Sequence, residues 1–145
     1  MKRLFYMALI TSLIAGTPTS FASQQGETMS ASPEALSQPF VKKRYLIKGE
    51  WSIETVDGKP QITFSEDFKT KGGPDLKVYL SKKLISELDS TTVATQSERI
   101  AVLKSNQGAQ TYSLPDDISL ADYRSVVIHC EAFSVLWGGF DLPPQ

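Results

Sequence analysis

Residues 125–135 read Ser-Val-Val-Ile-His-Cys-Glu-Ala-Phe-Ser-Val, a run dense in β-branched and aromatic side chains. Such side chains favour extended strands. The alternation of apolar residues shifts around Glu131 and Ala132, which places a break between two extended segments. The run therefore predicts a closing pair of antiparallel strands, residues 125–130 and 133–137.

Within the first of these strands, Cys130 and His129 are predicted to face opposite ways. Successive side chains of a strand point to opposite faces, so Cys130 shares a face with Val126 and Ile128. His129 then faces solvent, and both residues can meet one metal ion only across a bulge or a turn. This argues against a shared Cys-His metal site.

The same period-two alternation continues towards the N-terminus. Apolar residues at one parity, with polar residues between them, indicate half-buried strands. Glycine-containing turns separate these segments. The expected units are a hairpin over residues 44–65 around Asp57-Gly58, a strand over residues 75–81 after Gly72-Gly73-Pro74, and an antiparallel pair, residues 100–103 and 109–114, around residues 105–108.

Helical signals are few. Leu84, Ile85 and Leu88 suit a helical turn, whereas residues 90–96 are expected to form a surface loop. Ser119 is a plausible N-cap of one short helical turn, because its hydroxyl precedes an acidic residue three positions on. Short strands with little helix predict an all-β fold, an antiparallel β-sandwich or jelly-roll-like domain with one short helical turn.

The N-terminus predicts an exported protein. Lys2 and Arg3 precede an apolar run, and small residues flank Phe21 before an expected cut at Ser23, so residues 1–22 are interpreted as a signal peptide. Residues 23–43 are mostly small and polar and are expected to form a flexible leader. The β domain is expected over residues 44–142, in the periplasm or outside the cell, and no membrane span is expected in the mature chain.

Composition sets further limits. The chain has 145 residues, of which 41% are hydrophobic and 21% charged, which fits one globular domain. The net charge is −1 and becomes more negative without Lys2 and Arg3, which disfavours nucleic acid as a partner. With one cysteine no internal disulfide can form, so the hydrophobic core must supply the stability.

Cys130 is the candidate site. A lone thiol in an oxidising compartment can be oxidised, form a mixed disulfide or bind a metal unless the fold shields it. Free cysteine is also often a small buried hydrophobic residue, so an inert role in the core is the alternative.

Other candidate sites have simpler structural interpretations. The aromatic residues could form a binding platform, although core packing is the default, and a group of aspartates could hold calcium but lacks the loop pattern that makes such a site specific. No hydrolase, redox-pair or nucleotide-binding motif occurs, and whether the chain is an enzyme stays open. The aromatic residues are Trp51, Tyr79, Tyr112 and Trp137, and the aspartates are Asp116, Asp117 and Asp122.

Three segments resemble the DM-thirteen ("electron transfer DM") domain family: residues 73–81, residues 103–115 and residues 123–138. The resemblance extends over about residues 44–142. It implies a β-sandwich-like extracytoplasmic domain with a near-invariant cysteine at the position of Cys130, for which a role in electron transfer is suggested. Relatives often have an aromatic residue at the position of His129, which makes His129 a poor candidate for a shared ligand.

Two functions follow as hypotheses. In the first, the domain is a redox or electron-transfer accessory in which Cys130 works with a redox partner protein. The cofactor is unknown, and haem or copper ligation by the thiol is conceivable without being indicated. In the second, the domain is a non-catalytic module of the cell envelope or extracellular space that binds a protein or a glycan.

Overall fold

A computed structural model describes residues 38–144 of the chain. The predicted signal peptide and most of the predicted leader lie outside the described residues. The strands, in chain order, are β1 (Gln38–Pro39), β2 (Val41–Lys42), β3 (Ile47–Lys48), β4 (Glu50–Val56), β5 (Lys59–Phe64), β6 (Lys69–Thr70), β7 (Leu76–Ser81), β8 (Ser97–Val102), β9 (Gln110–Ser113), β10 (Ser125–Cys130) and β11 (Val135–Asp141). One α-helix, α1 (Ser90–Gln96), and two 3₁₀ turns, Ile85–Glu87 and Leu120–Asp122, complete the described elements.

The strands form two main antiparallel sheets. Sheet A has the order β1-β4-β5-β9, sheet B has the order β2-β11-β10-β7-β8, and β3 pairs with β6 in a separate two-stranded sheet. Each strand pairing recorded among the described residues is antiparallel. The predicted all-β sandwich-like class is therefore confirmed.

The main core lies where sheets A and B contribute side chains to one apolar cluster. Trp51 of β4 stacks on Phe140 of β11, with ring centroids 3.8 Å apart and planes 10° from parallel. Phe64 of β5 packs edge-on against Phe140, and both rings are about 1% exposed or less. Aromatic contacts of this kind add to the stabilisation from apolar burial.

Sheet B is covered on its other face as well. A smaller cluster, here called the outer core, lies between sheet B and the segment that contains α1 and the first 3₁₀ turn. Its members are buried apolar residues from both sides: Tyr79, Ile85, Leu88, Val93, Val127 and Leu136. All six residues of β10 are buried for this reason.

Several details differ from the sequence predictions. The loop predicted at residues 90–96 is α1, because Asp89 caps it by accepting hydrogen bonds from the amides of Thr91 and Thr92 and because Val93 is fully buried. The expected pair of strands around residues 105–108 is not a hairpin, since β8 pairs with β7 in sheet B and β9 with β5 in sheet A.

The helical turn predicted near Ser119 is present at Leu120–Asp122, yet the Ser119 side chain makes no capping hydrogen bond. At the N-terminal end, β1 and β2 come before Arg44, where the sequence suggested that the domain begins. Two-residue strands are too short to produce a period-two signal. None of the helices among residues 38–144 is long and apolar enough to cross a membrane.

Candidate functional site

Cys130 is the last residue of β10 and points into the main core. It pairs with Leu76 of β7 on one side and with Val135 of β11 on the other. Its exposed fraction is 0%. The strand alternation predicted this face, because Val126 and Ile128 belong to the same core. The thiol is therefore inaccessible to a macromolecule in this conformation.

The thiol nevertheless lies at the edge of the core, next to an irregular segment. Glu131 begins a turn in which its amide donates to the Asp75 carbonyl over 3.0 Å, and the Ser134 amide donates to the Glu131 carbonyl over 3.2 Å. Ser134 has a φ of +50°, a conformation that residues other than glycine adopt at some cost. Few backbone hydrogen bonds therefore hold the turn that follows Cys130.

The Gly72-Gly73-Pro74 segment packs over the same end of the core. A Cβ atom on Gly73 would lie 3.1 Å from Leu76 Cδ2 and 3.2 Å from Trp137 Cη2, so glycine allows the backbone to approach these side chains closely. Leu76 is the direct strand neighbour of Cys130. The segment thus contacts the strand neighbour of Cys130, and the turn over residues 131–134 follows Cys130 directly.

His129 is buried, and the prediction that it faces solvent is wrong. It does point away from Cys130, but that face of β10 lies under the outer core, and only 1% of the residue is exposed. Its ring packs edge-on against Tyr79, with centroids 5.9 Å apart. The Nδ1 atom has no hydrogen-bond partner among the described residues, and burial lowers the pKa of the imidazole against a smaller opposing effect of Glu131.

Beside His129, three polar side chains form a hydrogen-bonded group that the sequence analysis did not identify. The Tyr79 hydroxyl donates to Oε1 of Glu131, and Nη1 of Arg99 lies 3.5 Å from the same oxygen. Tyr79 is 7% exposed. Burial and, secondarily, the hydrogen bond to Glu131 raise the pKa of Tyr79 to about 12.

The group comes from three elements: Tyr79 from β7, Arg99 from β8 and Glu131 from the turn after β10. In sheet B, Arg99 pairs directly with Tyr79. Alternation along β7 does place Tyr79 opposite the main core, beside Lys77. What the sequence did not reveal is that β8 joins β7, which brings Arg99 to this place.

The side chains of Cys130 and His129 are not placed to bind one haem iron or copper ion between them. The two side chains lie in separate clusters on opposite faces of β10, as the strand geometry predicted. Over residues 38–144, no group of three or more His, Cys, Asp or Glu side chains is arranged to hold a metal ion.

The other candidate residues serve in core packing, a surface ion pair and a turn. Trp51, Tyr112 and Trp137 are buried in the main core, as core packing predicted, so they form no exposed platform. Asp116 is on the surface and pairs with Lys59 at 2.5 Å. Asp122 closes the second 3₁₀ turn.

Two exposed apolar side chains lie near the polar group. Phe133, in the turn after β10, is 67% exposed. Val102 is 60% exposed and lies in the same cross-strand row as Lys77 and His129. Exposed aromatic side chains of this size are common in contact surfaces between proteins.

These features define a small all-β domain with one cysteine, buried at the end of a central strand, and a tyrosine-carboxylate group on the opposite face of that strand. Residues 39–142 match the family described as electron transfer DM13, and the chain belongs to this family. No curated protein and no solved structure matches the chain.

Proposed function

We propose that this domain has an accessory role in electron transfer outside the cytoplasm and that Cys130 is its redox group, which reacts with a partner protein. Membership of a family described by electron transfer supports the general role. The position of Cys130 at the end of β10, one residue from an exposed turn, supports the choice of residue.

Burial requires that the thiol react from a transiently open state. Short segments with few hydrogen bonds open more readily than the strands of a core. The candidates for opening are the turn over residues 131–134 and the covering segment over residues 72–74. The main strand pairs of β10 with β7 and β11 can stay in place during this motion.

The proposed chemistry is thiol-disulfide exchange. The Cys130 thiolate attacks one sulfur of a partner disulfide, the partner's S–S bond breaks, and the departing sulfur takes up a proton. A dithiol of the electron donor then cleaves this mixed disulfide. The donor becomes a disulfide, Cys130 returns to the thiol and the partner is left as a dithiol, so two electrons pass from the donor to the partner.

The test is the rate at which an aromatic disulfide reagent labels Cys130 in the native full chain at increasing urea concentrations. Local opening gives labelling faster than global unfolding and nearly independent of low urea, because little surface is exposed. Labelling that follows only global unfolding contradicts the proposal.

A matched pair of glycine variants sharpens this test. Gly73→Ala crowds Leu76 and Trp137, so it should loosen the cover and accelerate labelling. Gly72→Ala is the control, since the nearest atom to its new Cβ is Asn106 Nδ2 at 3.6 Å, an ordinary contact. Equal labelling rates in the two variants would argue against an opening at this segment.

A second function is favoured by a different observation. The complete burial of Cys130 in apolar surroundings and the exposure of Phe133 suit a non-catalytic module that binds a protein or a glycan. In that case immobilised Cys130→Ala protein captures the same ligand from an envelope extract or a glycan panel as the parent chain does. Phe133→Ser should reduce the amount of ligand captured. If Cys130→Ala captures no ligand while Phe133→Ser captures as much as the parent chain, this function is excluded.

A further inference from the structure

Tyr79 and Glu131 form a phenol-carboxylate pair that the thiol chemistry does not use. The Tyr79 hydroxyl donates to Glu131 Oε1, while the phenol ring is enclosed in the outer core. The carboxylate end of the pair reaches the surface, where about a third of the Glu131 side chain is exposed. The pair therefore connects a buried aromatic ring to the exterior of sheet B.

Resting on the proposed electron-transfer role, we infer that Tyr79 is a one-electron relay whose phenolic proton moves to Glu131 when the ring is oxidised. The co-reactant is a one-electron oxidant of a partner protein, such as an oxidised metal centre. It takes one electron from the ring, the phenolic O–H bond breaks, and the Glu131 carboxylate becomes a carboxylic acid. A one-electron donor of a second partner protein, such as a reduced metal centre, then returns an electron to the ring, the same proton moves back from Glu131, and the phenol is restored.

The geometry meets the main requirement of this step. A one-electron-oxidised phenol is a strong acid, so a base must already accept its proton, and a base within hydrogen-bond reach does so without diffusion. Glu131 Oε1 is that acceptor. Arg99, 3.5 Å from the same oxygen, helps to hold the carboxylate in place.

The surroundings of Tyr79 favour a long-lived tyrosyl radical. The apolar side chains of the outer core shield the Tyr79 ring from water. His129 packs edge-on against the ring, and burial keeps its imidazole neutral at neutral pH. Cys130, whose thiol would donate a hydrogen atom to a tyrosyl radical, lies in the main core on the opposite face of sheet B.

The chain contains a natural comparison. Tyr123 donates a hydrogen bond to Glu98 Oε2, but Tyr123 is only half-buried at the margin of the main core, and the Glu98 side chain is exposed. The same hydrogen bond thus occurs once with an enclosed ring and once near the surface. A radical at the half-buried Tyr123 is more accessible to solvent than one at the buried Tyr79 and should decay faster.

The experiment oxidises the full chain with photogenerated ruthenium(III) tris(bipyridine) and follows the tyrosyl radical by transient absorption and electron paramagnetic resonance. The parent chain should form a long-lived tyrosyl radical that is lost in Tyr79→Phe. Glu131→Gln should slow its formation on the order of 100-fold, the scale of lost proton-transfer catalysis. Tyr123→Phe and Glu98→Gln should leave it unchanged.

An unchanged radical in Tyr79→Phe, or an unchanged formation rate in Glu131→Gln, overturns the inference. Glu131→Gln alters a partly exposed turn residue and keeps the test valid if Tyr79→Phe folds poorly, which thermal unfolding will reveal. Because the oxidant is a small molecule, the outcome does not depend on Cys130. If the radical forms at Tyr79 but the Cys130 thiol does not react, only the proposed role of Cys130 fails. If the thiol reacts but no radical forms at Tyr79, only the relay fails.

Discussion

His129 and Cys130 are adjacent in the chain, yet His129 is buried in contact with Tyr79 of the outer core and Cys130 is buried in the main core. The two residues occupy opposite faces of β10, and both faces are covered. A substitution at Cys130 therefore leaves the contacts of His129 with the outer core in place, and a substitution at His129 leaves those of Cys130 with the main core. The first two predictions use this separation.

Replacing Cys130 should distinguish alanine from serine. Cys130→Ala removes a small buried group and should cost about 1 kcal/mol. Cys130→Ser places a hydroxyl in an apolar core, which adds about 1–3 kcal/mol if the hydroxyl finds no partner. Urea unfolding of the three proteins measures the difference, and a serine variant as stable as the alanine variant would contradict the sealed environment.

Replacing His129 should change how stability depends on pH. Burial lowers the pKa of His129 in the folded state, so below the ordinary histidine value of 6.5 the unfolded chain binds a proton that the folded chain resists. Stability should thus fall as the pH drops through this value. Urea unfolding at several pH values should show a smaller loss of stability at low pH in His129→Gln, because glutamine cannot be protonated at this position. If the stabilities of the parent chain and of His129→Gln change with pH in parallel, the lowered pKa of His129 is contradicted.

The stacked pair Trp51 and Phe140 should be a major source of stability. Phe140→Ala removes a ring that is 1% exposed and should cost about 3–5 kcal/mol. Phe133→Ala is the matched control, because that ring is largely exposed and its loss should change stability by about 0.5 kcal/mol or less. Thermal and urea unfolding provide the comparison, and similar losses in the two variants would contradict the structure.

The close approach of β11 to β10 should make Gly139 intolerant of a side chain. A Cβ atom there would lie 2.1 Å from the Val126 carbonyl oxygen, closer than any real contact, so Gly139→Ala must displace backbone. We expect a loss of about 3 kcal/mol, at the upper end of overpacking effects. Gly72→Ala, whose new Cβ has no contact closer than 3.6 Å, should leave the stability nearly unchanged. Urea unfolding measures both variants, and equal stabilities of Gly139→Ala and Gly72→Ala would contradict the close packing of β11 on β10.

The strands were largely predictable because local residue patterns mark them. Alternation located β4 and β5 around Asp57-Gly58 and β7 after Gly72-Gly73-Pro74, and the density of β-branched and aromatic residues located the pair β10 and β11. Alternation also predicted that Cys130 shares a face with Val126 and Ile128, and the structure shows that this face belongs to the main core. These features depend on local periodicity and on turn residues, which the sequence contains directly.

The rest depended on contacts between distant segments. Alternation indicates two faces of a strand without showing whether the second face is covered, so it wrongly predicts that His129 faces solvent. Alternation also does not identify neighbouring strands. It therefore predicts neither the pairing of β8 with β7 nor the Tyr79-Glu131-Arg99 group that this pairing brings together. The threonine-rich α1 has a weak intrinsic helical preference, and its burial of Val93 against sheet B is a tertiary effect.

The single sulfhydryl group of the chain has a practical consequence for production of the protein. Because folding needs no cystine, recombinant expression should succeed in reducing and in oxidising host compartments alike. Covalently cross-linked dimers should accumulate only under conditions that unfold the β domain or expose the end of β10. A non-reducing gel after mild heating thus becomes a simple quality test for each batch.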